Sequence, residues 1–189
     1  MMSLKEDLST TQNGESCVKQ IMPVVNIDPE IQSLIPPLTP NELSKLMESI
    51  SAEGCRDPLV VWAGHNILLD GHNRFAICQK LAVSFRVTEL SFVDREHAVL
   101  WILRNQLGRR NRSDIQFKLL IGQEHELMKK LEGRPKSDTS ELPQIEAVIP
   151  MRTSEKIARE HGVSRATVER SADLYKALKV IRAEVLFYR

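Results

Sequence analysis

Long apolar runs are missing from this 189-residue chain. Ala98–Leu103 is among the longest, against the ~20 residues that a membrane-spanning helix needs, so no membrane contact is expected. The first twenty residues lack the apolar stretch of a secretory signal. Cysteine is scarce and odd in number. Cys17, Cys55 and Cys78 have no metal-ligand spacing, which argues against a disulfide scaffold or a structural zinc site and fits a reducing cytoplasm. Neither sign of charge dominates: 26 Lys+Arg stand against 25 Asp+Glu, a net charge of +1. A histone-like basic surface and an acidic tail are both excluded, and any nucleic-acid binding must come from local clustering of charge. What is present is globular: 42% of residues are apolar and 27% charged, in a length that suits one ordinary domain or two small ones.

Residues 1–20 are polar and read as a flexible tail. A short strand is expected around Val24–Asn26, followed by an extended connector at Ile35–Leu38, because proline pushes its predecessor out of the α region. Thr39, Pro40 and Glu42 form a capping box that starts a helix with apolar positions at Leu43, Leu46, Met47 and Ile50, stopped by Gly54. Two strands, 58–62 and 67–69, flank a turn at Gly64–Asn66. A helix opens at Asp70–Arg74 and runs to Leu81, a strand covers 84–90, and Asp94 caps a helix reaching Gln106. Strands and helices mix here without strict alternation, so residues 21–112 read as a compact α+β domain. No strand pattern follows Asn111. Ser113 and Gln116 open a helix to about Lys130, and 132–152, with Pro135, Pro143 and Pro150, read as a loop or linker. Residues 113–189 are therefore expected to be all-α.

The strongest local motif is a helix-turn-helix at 154–178. Ala158 is the small residue at the helix crossing, Gly162 permits the turn, and Ile157, Val163 and Val168 are the apolar plugs. Such a unit presents its second helix to the major groove. With Val168 inward, Arg165, Ala166, Glu169 and Arg170 face outward, where Arg suits guanine and Ala suits a thymine methyl. Ser164 and Thr167 suit phosphate. From Thr153 onward there are eight Lys/Arg and five Asp/Glu. The bland alternative is a helical hairpin that only packs.

Two other features point to an anion. Gly71-His72-Asn73-Arg74 lies between a strand and a helix, where free N–H groups attract phosphate and where the helix dipole disfavours the Arg74 cation unless an anion accompanies it. Arg104, Arg109, Arg110 and Arg112 form a dense run that repels itself unless an anion or carboxylate joins it. A solvated turn and a solvated basic loop are the plain alternatives.

Leu46-x-x-Ser49-Ile50 with Gly54, Pro58 and Leu59, then Asp70-Gly71-x-x-Arg74, then Asn105 with Arg109-Arg110, then a helix-turn-helix, together resemble the ParB family of partition proteins over about 21–178. The resemblance implies a ParB/sulfiredoxin-like N-terminal domain that binds CTP with Mg²⁺, followed by a helical DNA-binding domain. It places Gly54, Pro58 and Leu59 at the base end of the nucleotide, Gly71, His72, Asn73 and Arg74 at the phosphates, and Asn105, Arg109 and Arg110 at the triphosphate. It implies double-stranded DNA with a palindromic site, a homodimer, a nucleoid- or plasmid-associated cytoplasmic location, and a partition ATPase as partner. The tail, however, holds only Lys5 and Lys19 in place of a basic stretch, and no separate C-terminal dimerisation domain is evident, which points to a small plasmid-, phage- or island-borne relative. Arg104 stands where the family has an acidic residue, so hydrolysis is expected to be weak at most, and no catalytic residue or metal ligand is assigned. Two alternatives stay open. One is an enzyme of the same fold, a kinase or nuclease; the other is a plain transcription regulator with a vestigial pocket. Sulfiredoxin chemistry is disfavoured because His72 occupies the place of the reactive cysteine, and Cys78 falls on the helix body.

Overall fold

The computed structural model describes residues 24–109, 112–133 and 151–187. The tail at 1–20, Arg110 and most of the 132–152 loop lie outside the described residues. Seven helices and three strands occur among the described residues: α1 (Pro29–Ser33), α2 (Pro40–Glu53), β1 (Leu59–Trp62), β2 (Ile67–Asp70), α3 (His72–Leu81), β3 (Val87–Leu90), α4 (Arg95–Leu107), α5 (Asp114–Glu132), α6 (Thr153–His161) and α7 (Arg165–Phe187). The chain is thus an α+β fold followed by a helical part. No described helix is long and apolar enough to cross a membrane.

Side-chain caps set most helix starts. Thr39 and Glu42 complete the capping box of α2, and Ser113 and Gln116 that of α5. Asp94 accepts from the His97 N–H at 2.9 Å. Helix α1 is an addition to the sequence reading: Asp28 caps it, Pro29 opens it, and Arg95 clamps it by reaching Asp28 and Glu30 at 2.6 Å each. Two expected strands shrink. Around Val24–Asn26 only Asn26 pairs, in an isolated bridge to Ile67, and the 84–90 strand begins at Val87, where its partner Leu59 begins.

The sheet has the order β2-β1-β3, with β1 antiparallel to β2 and parallel to β3. Alternation along β1 and β2 sends Leu59, Val61 and Leu68 toward Phe75 of α3, and Trp62 and Leu69 toward Ile31 of α1 and Ala98 and Ile102 of α4. The sheet therefore lies between two helical layers. Helix α4 serves a second core as well: Leu103 and Leu107 pack with Leu120 and Ile121 of α5, Ile157 and Ala158 of α6, and Val168 of α7. Helices α5 and α7 cross at Gly122, where an added Cβ would lie 2.1 Å from the Ser171 carbonyl oxygen and 2.8 Å from Tyr175 Cβ.

Candidate functional site

Strand β2 ends on Asp70, and Gly71 turns the chain into α3. Gly71 has φ 98°. A Cβ there would meet Leu59 Cδ2 at 2.6 Å and Arg74 Nη2 at 3.0 Å, so both the backbone angle and the close approach require glycine. The turn starts α3 against β1. No side chain caps this helix, which distinguishes it from α2, α4 and α5 and leaves its first-turn N–H groups open to an outside acceptor.

Asp70 is the centre of the site. Its side chain is only 12% exposed and takes two guanidinium groups. Arg74 reaches one oxygen at 3.1 Å and Arg109, from the end of α4, donates to the other. Arg74 also donates to the Pro58 carbonyl at 3.3 Å and stands 3.8 Å from the exposed Asp57 carboxylate. The cation at the start of α3 is thus accompanied by a carboxylate of the chain itself. The geometry makes Asp70 a counter-ion to both arginines.

Four buried polar atoms near these elements have no partner: both ring nitrogens of His72, Nε of Arg74 and Nε2 of Gln106. Burial holds the His72 imidazole below its ordinary value, only partly offset by the Asp70 charge, so the ring is neutral at pH 7 and carries one donor and one acceptor. Leaving such groups unpaired costs free energy that a ligand can recover. Gln106 and Arg109 line a cavity of about 460 Å³ with Pro36–Thr39, and Arg109 connects it to the α3 turn.

The structure therefore brings together Pro58, Leu59, Gly71, Arg74 and Arg109. His72 is buried at the start of α3, and Asn73 and Asn105 are half-buried. Gly54 lines a different cavity, with Cys55 and Val83–Arg86. Gln106 was missed by sequence reasoning. Its signal was a polar residue on the same helical face as Leu103 and Leu107.

The arginines read as one cluster are divided. Arg109 goes to Asp70, and Arg112 lies over the Phe117 ring at 4.8 Å and donates to the Arg109 carbonyl. Arg104 turns toward the helical part, donating to Glu124 of α5 at 2.8 Å and Glu160 of α6 at 2.9 Å. Glu124 is fully buried and also pairs with His161 Nε2 at 2.8 Å. Burial alone would raise the Glu124 carboxyl, but hydrogen bonds from His161 and Arg104 outweigh it and hold the group below its ordinary value. Glu124, Glu160 and His161 have ligand atoms within 4.8 Å of one another. Arg104 already bridges the two carboxylates.

Helices α6 and α7 are joined by a tight turn at Gly162, φ 66°. Ile157, Ala158 and Val168 are buried between the helices, with Val163 packed against them. Ser164 caps α7 through the Thr167 N–H at 3.1 Å. Ser164, Arg165, Ala166, Glu169 and Arg170 are exposed and Thr167 is half-buried. Arg165 is held by Glu169 at 2.8 Å and Glu155 at 3.5 Å, which orients it beside the turn.

The architecture defines an α+β protein with a helical C-terminal part. No protein-family model and no curated protein matches the chain. Among solved structures it is similar to ParB proteins. Two structures of a pNOB8-like ParB N-domain share 20% and 22% identity with TM-scores of 0.49 and 0.48; each covers 57% of this chain, and 43% and 40% of their own. The C-terminally truncated chromosome-partitioning protein ParB from Caulobacter crescentus, complexed with CTP-γ-S, shares 20% identity over 78% of this chain and 72% of its own, with a TM-score of 0.36. The chain thus spans less than half the length of the two N-domain structures.

Proposed function

We propose that this is a ParB-like DNA-binding protein of the partition class, which reads a DNA site through α6–α7 and holds a nucleoside triphosphate at the start of α3. The observation that carries the nucleotide reading is the Asp70 cluster. Two guanidinium groups converge on one carboxylate, beside an uncapped helix start and buried donors without partners. Phosphate oxygens suit all of these groups. The ParB resemblance of the motifs selects CTP among the nucleotides. Gly71 leaves the backbone open to the phosphates, while Arg74 and Arg109 supply their charge.

The residues present do not fit Mg²⁺. The position of the family's acidic residue is Arg104, which is committed to Glu124 and Glu160, and Asp70 is engaged by two arginines. No step through a metal is derived. Thiol chemistry gains little, since burial and the neighbouring Cys55 push the Cys78 thiol up to about 11, far from a reactive thiolate.

One observation favours a plain DNA-binding regulator instead: Asp70 already supplies the anion that Arg74 requires. Binding of radiolabelled CTP to the full chain, with and without DNA carrying its site, separates the two. Saturable binding supports a nucleotide-holding domain. No binding at millimolar CTP makes the sheet domain a protein-contact module.

A further inference from the structure

Pro36 and Pro37 also wall a second cavity, of about 490 Å³, which opens between the connector after α1 and helices α5 and α7. Neither Asp70, Arg74 nor Arg109 lines it, so it is separate from the cluster at the start of α3. We propose that this cavity binds a small amphipathic anion of the medium-chain carboxylate class, its charged head on Lys179 and Arg182 of α7 and its apolar body between the proline wall and α5.

The walls choose an apolar body. One side is built from Leu34, Ile35 and the two prolines. Proline has no N–H, so the backbone at Pro36 and Pro37 offers a ligand no donor. Leu119 and Leu120 of α5 and Leu178 of α7 supply apolar surface from the helical part, and Leu178 remains 37% exposed. The volume suits a small-molecule site, where apolar walls carry the binding and a few polar groups fix orientation.

The charges choose the head. Tyr175, Leu178, Lys179 and Arg182 recur at helical spacing, so they share one face of α7, and all four line the cavity. Lys179 and Arg182, three residues apart, repel each other. No ion pair within the described residues engages either one, and the lining holds no Asp or Glu. The nearby carboxylate of Glu126 is taken by Lys176 at 3.2 Å. Tyr175 adds a donor: burial holds its hydroxyl above its ordinary value against the pull of Arg182, so it keeps its proton at pH 7. An anion here meets two cations and a hydroxyl with no competing carboxylate, the reverse of the arrangement at Asp70. It would also tie the connector of the sheet domain to α7.

The inference does not depend on the nucleotide or DNA readings, and its test uses neither ligand. The full chain is titrated calorimetrically with decanoate below its micelle concentration, and with decanol as a body without the charge. Saturable binding of one decanoate per chain is expected, at least tenfold tighter than decanol, with a rise in the thermal midpoint. Lys179→Gln with Arg182→Gln, both at exposed positions, should weaken decanoate about tenfold or more and leave decanol unchanged. Leu119→Asp should weaken both, and circular dichroism checks that each variant keeps its helix content. No saturable binding at millimolar decanoate overturns the proposal. So does equal affinity for decanol, or indifference of decanoate to the glutamine pair.

Discussion

Two buried carboxylates, Asp70 and Glu124, organise the two halves of the molecule, and they are served differently. Glu124 receives Arg104 and His161, and Arg104's remaining reach is taken by Glu160. Every member of that group has a partner, and three helices, α4, α5 and α6, are joined by it. Asp70 receives Arg74 and Arg109, yet Nε of Arg74 and both nitrogens of His72 stay unpaired close by. A saturated polar cluster fixes packing, whereas one with donors left over is arranged for something else to bind. The difference separates a structural lock from a candidate ligand site, although both look alike as acidic residues in a sequence.

The comparison is broken most severely at Glu124. Glu124→Ala should cost about 3–5 kcal/mol, because it leaves Arg104 and His161 without their buried partner. Thermal or urea unfolding measures it. The same group sets an acid dependence. Its folded value lies below the ordinary 4.5, so its contribution is complete above that value and is lost as pH falls through the depressed one. Glu124→Ala should therefore flatten the loss of stability between pH 5 and the acid limit, a change read from urea midpoints at several pH values. An unchanged slope would remove Glu124 from the lock.

Gly122 comes next. Gly122→Ala drives a methyl into the Ser171 backbone and should cost about 1–3 kcal/mol by separating α5 from α7, measured by the same unfolding curves. Nucleotide affinity, by contrast, should hardly change, since Gly122 is remote in sequence and packing from the α3 turn.

At the other carboxylate the expected losses are of ligand rather than of stability. Arg74→Ala should remove about 1.5–3 kcal/mol of triphosphate binding while leaving the helix-turn-helix contact with DNA intact, as read by titration and by DNA-binding assays. Arg165→Ala or Arg170→Ala should have the complementary effect. Each is expected to lower site-specific DNA binding by about 1–3 kcal/mol and to alter random DNA less. If both leave the ratio of specific to random binding unchanged, the reading face is wrongly assigned.

Much of this was legible in the chain itself. Thr39–Glu42 and Ser113–Gln116 announce helix starts because the same residues satisfy orphan N–H groups wherever they occur. Gly162, Ala158 and Val168 announce the turn and the packing between α6 and α7 for similarly local reasons. Helix α1 was overlooked although Asp28 and Pro29 carry its start signal, because five residues show no periodicity and its anchor, Arg95, is distant in sequence. The 84–90 strand was drawn too long because pairing depends on where Leu59 begins, not on the apolar character of Phe85. The arginine run illustrates the larger limit. Arg104, Arg109 and Arg112 look equivalent as neighbours, and only the fold sends them to Glu124, Asp70 and Phe117. A counter-ion contributed from 20 or 39 residues away leaves no trace in local spacing.

The central claim is that Asp70 holds the place of a ligand's phosphate between Arg74 and Arg109. Calorimetric titration of the full-length wild type, Arg74→Ala and Asp70→Asn with CTP, ATP, GTP and UTP tests it most directly. The account predicts that wild type binds CTP, that Arg74→Ala binds it about tenfold or more weakly, and that Asp70→Asn binds more tightly than wild type because the competing carboxylate charge is gone. Weaker binding by Asp70→Asn with its fold retained, or no binding of any of the four by wild type at millimolar concentration, would contradict it.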